Sequence, residues 1–316
     1  MRPRPARIAF GAVLGLGAVW TGLACWVQLA GALRIGAGVG LVVLALGLWR
    51  LGRERALRGW IGLAVAGCVV GLWYQSIVPR QDRGWAIDVS RGVRATQAGD
   101  IVTLSDIRDF HWTTPDTATP HWIVRSYDLA TLDSVEMFTS VWSSPAIAHL
   151  LVSFGFSNGD HVVFSAEIRR ENGEAFNELG GFFRQFELVL IGATEDDIVA
   201  LRSQIRHETV TRYPVALDAD ERRALFLAYV GLAQRLQTAP EFYNTVTANC
   251  TTVVWRLAHG LRPDLPLGAG LVLSGYLPGY LAKLGVLGGA GSRIDPGMIA
   301  GRMARGIGYS QAIRMP

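Results

Sequence analysis

Three apolar stretches fill the first quarter of the chain, and they dictate its environment before any other feature is read. Residues 8–30, 32–49 and 59–78 each approach the ~20 residues that a helix needs to cross a bilayer. The second carries Arg34 near its start, a side chain long enough to snorkel to the interface. A cleaved signal peptide is the competing reading of the first stretch, since basic residues precede it, but 23 apolar residues exceed a signal core and two more spans follow. The expectation is a three-span anchor over residues 1–78, a juxtamembrane linker over 79–99, and a separate domain over 100–316 with a core of its own.

Orientation follows from the positive charges. Arg2, Arg4 and Arg7 precede the first span, and Arg50, Arg53, Arg55 and Arg58 separate the second from the third. Both groups belong on the cytoplasmic side. The chain after the third span then emerges on the opposite side, which for a bacterial inner-membrane protein is the periplasm. Residues 1–78 hold eight of the 30 Lys and Arg residues and one of the 26 Asp and Glu residues, leaving 22 basic against 25 acidic groups, or −3, beyond the spans. The basic excess is therefore topological, and nothing in it points to nucleic acid.

Cys25 and Cys68 lie inside apolar stretches, where small packing residues are common. Cys250 is the lone cysteine of the exported part and cannot form a disulfide within it. No paired-cysteine, His-x-x-x-His, phosphate-loop or Gly-x-Ser-x-Gly motif is present, so the reading includes neither metal nor cofactor.

Within the exported part, short β-prone runs occupy 100–104 and 121–127. The clearest local signal is a hairpin, with runs at 148–156 and 161–170 joined through an Asn158-Gly159 turn. Alternation places His149, Leu151, Ser153 and Gly155 on one face of the first strand and Ser165, Glu167 and Arg169 on one face of the second. An odd loop puts Glu167 directly across from His149; an even one substitutes Ile168. A strand is expected at 182–192, a helix from the Thr194-Glu195-Asp196-Asp197 cap to about 206, a strand at 208–214 and a helix over 218–238. An aperiodic stretch at 240–249 precedes a helix at 250–259 closed by Gly260, with Asn249 as its N-cap. The Gly- and Pro-rich tail has modest helical character over 271–287.

A cysteine in the first turn of a helix points its sulfur at unpaired N–H groups and the positive end of the helix dipole, which favours thiolate. A base must accept the proton. His259 is about 13 Å along the helix, at ~1.5 Å per residue, and is set aside. His149, paired with Glu167 as the carboxylate that fixes its tautomer, is the stronger base than His111, His121, His161 or His207. Backbone N–H groups around Asn249 and Thr251 are candidates for an oxyanion site. Arg108, Arg169, Arg184 and Asn244 are candidates for contacts to substrate.

Four segments together, Ala148-His149 through Phe156, Ser165-Ala166-Glu167-Ile168-Arg169, Phe183-Arg184-Gln185-Phe186-Glu187, and Phe242-Tyr243-Asn244-Thr245 to Asn249-Cys250-Thr251, resemble the periplasmic-domain family named after the Lnb-type lipoprotein N-acyltransferases. The resemblance covers about residues 100–287. It implies an α+β fold of the permuted papain-like kind, related to the NlpC and lecithin-retinol acyltransferase domains. It also implies a site in which Cys250 is the acyl-carrying nucleophile, His149 its base and Glu167 a recurrent acidic partner. The expected partners are a phospholipid acyl donor, a lipoprotein or other envelope acceptor, and the membrane. This chain departs from the family pattern in placing its spans before the domain. Two alternatives use the same residues differently: an envelope cysteine peptidase or amidase, and a tethered binding module without catalysis.

Overall fold

The computed structural model describes residues 5–266, 268–271 and 273–316. The chain divides into two units, Met1–Arg80 with Asn177–Phe186, and Gln81–Phe176 with Glu187–Pro316.

The first unit contains helices α1 (Pro5–Gln28), α2 (Gly31–Glu54) and α3 (Ala56–Ser76), each long and apolar enough to cross a membrane. Helix α2 continues past the expected end at Trp49, through a turn in which Arg50 and Glu54 pair at 3.3 Å. Phe10 is buried against Gly52, where a Cβ would collide with its ring, and meets Trp60 edge-on at 5.2 Å. Cys25 is half-buried but Cys68 is exposed on α3, so the packing role expected of both fits only the first.

The expected strand at 182–192 starts late. Its first residues instead join α4 (Glu178–Phe182), whose N-cap Asn177 accepts from the Gly180 N–H. Phe183 then lies 5.7 Å from Trp20 in this unit. Arg184, in the left-handed region at φ 58°, donates to the Tyr74 and Ile77 carbonyls at the end of α3.

The second unit is built on one mixed sheet. Its strands are β1 (Arg94–Ala98), β2 (Ile101–Arg108), β5 (Trp122–Asp128), β6 (Leu132–Val141), β7 (His149–Phe156), β8 (His161–Arg169), β9 (Glu187–Ala193), β10 (Thr209–Pro214) and β11 (Ser292–Arg293). Strands β3 (His111–Thr114) and β4 (Thr117–Thr119) form a separate small hairpin. The order is β1-β2-β9-β8-β7-β6-β10-β11, with β5 also on β2. Strand β1 lies inside the stretch expected to be a linker, so the domain begins before residue 100. The central strand β6 was not visible as a periodic run, because most of its residues are buried on both faces.

Helices cover both faces. On one, α6 (Ala219–Thr238) and α7 (Cys250–Leu261) pack on Phe154, Phe164 and Leu190 through Phe226, Tyr229 and Val253. On the other, α5 (Glu195–Ala200), a π-helical turn (Leu201–Ile205), α9 (Pro296–Met303) and α10 (Tyr309–Ala312) cover Phe138, Leu151, Val163 and Ile191. The short α8 (Leu277–Lys283) adds to a third cluster with Met137 and Leu150. Helix α6 begins at a complete capping box between Asp218 and Glu221. Helix α7 runs through Gly260, past the expected stop.

Candidate active site

The hairpin sets the site. Gly155 pairs with His161, Phe154 with Val162, Ser153 with Val163 and Val152 with Phe164. Phe156 N–H closes on the Asp160 carbonyl at 2.9 Å, leaving a three-residue loop of Ser157, Asn158 and Gly159, with Gly159 at φ 88°. The loop is odd, and the register brings Glu167 opposite His149. His149 Nε2 lies 3.0 Å from Glu167 Oε1 and 2.8 Å from Ser165 Oγ, and the Ser165 hydroxyl donates to the same carboxylate at 2.7 Å. A proton on Nε2 satisfies both contacts, which leaves Nδ1 to exchange a proton with a nucleophile.

The candidate nucleophile is Cys250. Asn249 caps α7: its Oδ1 accepts from the Thr251 and Thr252 N–H groups at 3.0 and 2.9 Å, and its own N–H donates to Thr252 Oγ1 at 2.8 Å. The thiol that follows lies 3.8 Å from Thr251 Oγ1, and the His149 imidazole and the Leu150 N–H both favour its ionised form. Strand β7 thus contributes both base and amide donor to one sulfur.

The electrostatics favour an ion pair. Burial and Arg202 disfavour a charged imidazole, yet Glu167 and Cys250 outweigh them and raise His149 to about 9. Burial alone would raise the Cys250 thiol, but the imidazolium, the Leu150 N–H and the Thr251 hydroxyl bring it below its ordinary value. Burial likewise works against ionised Glu167, while His149, Arg202 and Ser165 hold it well below the usual carboxylate range.

Ser165 and Arg202 were not foreseen. Ser165 was within reach of sequence reasoning, standing two residues before Glu167 on the same face. Arg202 was not, since it comes from the π-helical turn on another element. It donates to Glu167 at 3.2 Å and to Glu208 at 3.4 Å, and Ser140 donates to Glu208 in turn.

The other candidates have structural duties. Arg108 is 4% exposed, forks onto Asp197 at 2.8 and 3.0 Å and donates to the Asp88 carbonyl, so no phosphate can reach it. Arg169 is spent on the Val89 and Ser90 carbonyls and Gln81 Oε1, over the Trp85 ring. Arg184 caps α3. Asn244 accepts from the Val246 and Thr247 N–H groups and bridges to Ala248, shaping the loop that delivers Asn249. Asn249 Nδ2 donates to the Thr245 carbonyl, and the Thr251 N–H is taken by the cap. The expected oxyanion site at Asn249 and Thr251 therefore narrows to the Cys250 N–H, the remaining amide of that turn.

Glu136, His161 and Glu195 bring potential metal-ligating atoms within 4.8 Å of one another. Arg212 and Arg314 already pair with these carboxylates, which makes the cluster an ion-pair network tying the C-terminus to the sheet.

A cavity of about 360 Å³, within the size range of small-molecule sites, reaches the first turn of α7 at Thr251. Val135, Leu150, Thr251, Val254, Leu271 and Leu281 are among its lining, and charged side chains enter only at Asp220, Glu221 and Arg262. Cys250 packs against the same apolar cluster of Met137, Leu150, Leu271 and Leu277.

A family model described as the Lnb N-terminal periplasmic domain matches residues 118–275, half of the chain and a stretch that includes His149, Glu167 and Cys250. No curated protein and no solved structure matches the chain.

Proposed function

From the premise that this chain belongs to the Lnb N-terminal periplasmic domain family, we propose that it is a thiol acyltransferase, anchored in the bacterial inner membrane by three spans. The apolar cavity beside Cys250 carries this reading: its size and lining suit an acyl chain and give few polar partners to a peptide.

In the first step the Cys250 sulfur, its proton held by His149, attacks the carbonyl carbon of a phospholipid ester. The carbon–oxygen bond to glycerol breaks, His149 returns the proton to the leaving oxygen, and an acyl thioester and a lysophospholipid remain. An amine, the N-terminus of a diacylglyceryl lipoprotein in the leading version, then attacks the thioester. The carbon–sulfur bond breaks, an amide forms, and the amine proton restores the thiol pair through His149. Glu167 keeps the imidazole in the productive tautomer and stabilises its charge. The Cys250 N–H is the donor nearest the developing oxyanion.

The test is mass spectrometry of a reporter lipoprotein in cells depleted of their own N-acyltransferase, comparing the native chain with Cys250→Ser. N-acylation by the native chain alone supports the transferase. No acylation by either, with both expressed in the membrane, sinks the lipoprotein version; soluble peptide fragments released by the native chain alone would make it a hydrolase.

A further inference from the structure

Three loops meet at the end of the sheet where Cys250 and His149 stand, and each exposes large apolar side chains. Trp142 (52% exposed) and Ile147 (39%) lie between β6 and β7, Val246 (38%) lies in the loop that delivers Asn249, and Leu273 (40%) and Tyr276 (56%) precede α8. Two hydrogen bonds join the first and third of these loops into one surface: Gly275 N–H donates to the Ala146 carbonyl at 3.0 Å, and Ala148 N–H to Ser274 Oγ at 2.8 Å. No charged residue occurs in 142–148, 242–248 or 268–282. An exposed, charge-free rim with Trp and Tyr at its edge is poorly suited to water.

Over residues 273–282, before and within α8, no side chain is charged. Leu271, Leu277 and Leu281 face inward and line the cavity, while Leu273 and Tyr276 face out. A segment apolar all round belongs in a core or in lipid. Its outer side keeps Leu273 and Tyr276 40% and 56% exposed.

We infer that this rim is a membrane-docking surface, seated in the headgroup region of a lipid bilayer so that an acyl chain can pass from the lipid to the cavity. Lipid is the occupant because the chain is itself tethered there. Only residues 77–80 separate α3 from Gln81, and an extended connection of that length reaches at most about 18 Å. Trp and Tyr are the side chains that settle at membrane interfaces, and charge is what such a surface excludes. The inference goes beyond acyl transfer to the partner of the same site, and it holds whether or not turnover occurs.

The experiment is photolabelling of the full chain, reconstituted in vesicles of phosphatidylethanolamine and phosphatidylglycerol that include a phospholipid with a diazirine near the head of its acyl chain. Adducts are located to the residue by mass spectrometry. Labelling at Trp142, Ile147 and Tyr276 is expected to exceed, several-fold, that at Val124, an exposed apolar residue on β5. A Trp142→Asp/Tyr276→Asp chain should lose that excess while Cys250 keeps its native alkylation rate. Rim labelling no higher than Val124, with the three spans labelled, overturns the inference, as does a rim crosslinked to a second copy of the chain. Neither result depends on acyl transfer, so a failed transferase assay leaves this test intact.

Discussion

His149 and Leu150, neighbours on β7, both favour the ionised form of Cys250, one through its imidazole and the other through its backbone N–H. Base and amide donor are therefore fixed by a single strand, and a shift of β7 would disturb both at once. At pH about 6, where a free thiol is almost wholly protonated, iodoacetamide should alkylate Cys250 roughly a hundredfold faster than it alkylates free cysteine. His149→Ala should abolish that advantage, and Cys250→Ser the reaction itself.

The same pair makes stability depend on pH. His149 rises from 6.5 to about 9, so its ion pairing contributes fully below the unfolded value and is lost as the pH climbs through about 9. Glu167 runs the other way, its contribution present above ~4.3, the ordinary carboxylate value, and lost only as pH falls through its depressed folded value. Cys250, held below its ordinary thiol value, contributes in the opposite sense as pH rises, so the decline due to His149 is read in the Cys250→Ser chain, whose thermal unfolding in detergent should fall in temperature as pH rises above about 6.5. His149→Gln should flatten that decline, and an unchanged slope would refute the assignment.

Arg202 donates to Glu167 Oε1, the same oxygen that faces the His149 imidazole. Replacing it with Met leaves Glu167 and Glu208 buried with one cation fewer, a change expected to cost roughly 3–5 kcal/mol of stability. It should leave Cys250 alkylation at neutral pH undiminished, because Arg202 itself disfavours the imidazolium and Glu167 stays ionised beside His149. Denaturant titration and the alkylation rate measure the two effects.

The cavity can be filled without touching His149, Glu167 or Cys250. Val254→Trp should leave Cys250 reactive toward short acyl esters while removing its preference for long ones. Each methylene that no longer finds apolar surroundings should reduce the selectivity by up to about 0.8 kcal/mol. Thioester yields across a series of p-nitrophenyl esters of increasing chain length would measure it.

The hairpin offers a test of register. One residue inserted after Asn158 should carry Glu167 off the His149 face and abolish the alkylation advantage, whereas two should largely preserve it.

Much of the site was legible for a simple reason: its two strands keep strict alternation, and its nucleophile follows a strong N-cap. Alternation therefore put Glu167 opposite His149 for an odd loop, leaving the loop length to the structure, and the cap put Cys250 in the first turn of a helix. The arginine candidates were not legible, because a sequence cannot distinguish a guanidinium facing solvent from one such as Arg108, locked onto Asp197 and a carbonyl. The fold was least visible where both faces are buried, as in β6, and where a local run answers to a different unit, as in Phe183 and Arg184.

The π-helical turn at Leu201–Ile205 has a bearing on how this site tolerates change. Its closing bond runs from the Arg206 N–H to the Leu201 carbonyl at 2.8 Å, one residue wider than an α-turn. Loss of one residue there would restore ordinary helical pitch and rotate the position of Arg202 by about 100°. A shortened relative could keep every site residue and still lose the cation beside Glu167. The chain thus has two places where spacing, more than identity, determines the chemistry, the hairpin loop and this turn, and both act on the same carboxylate.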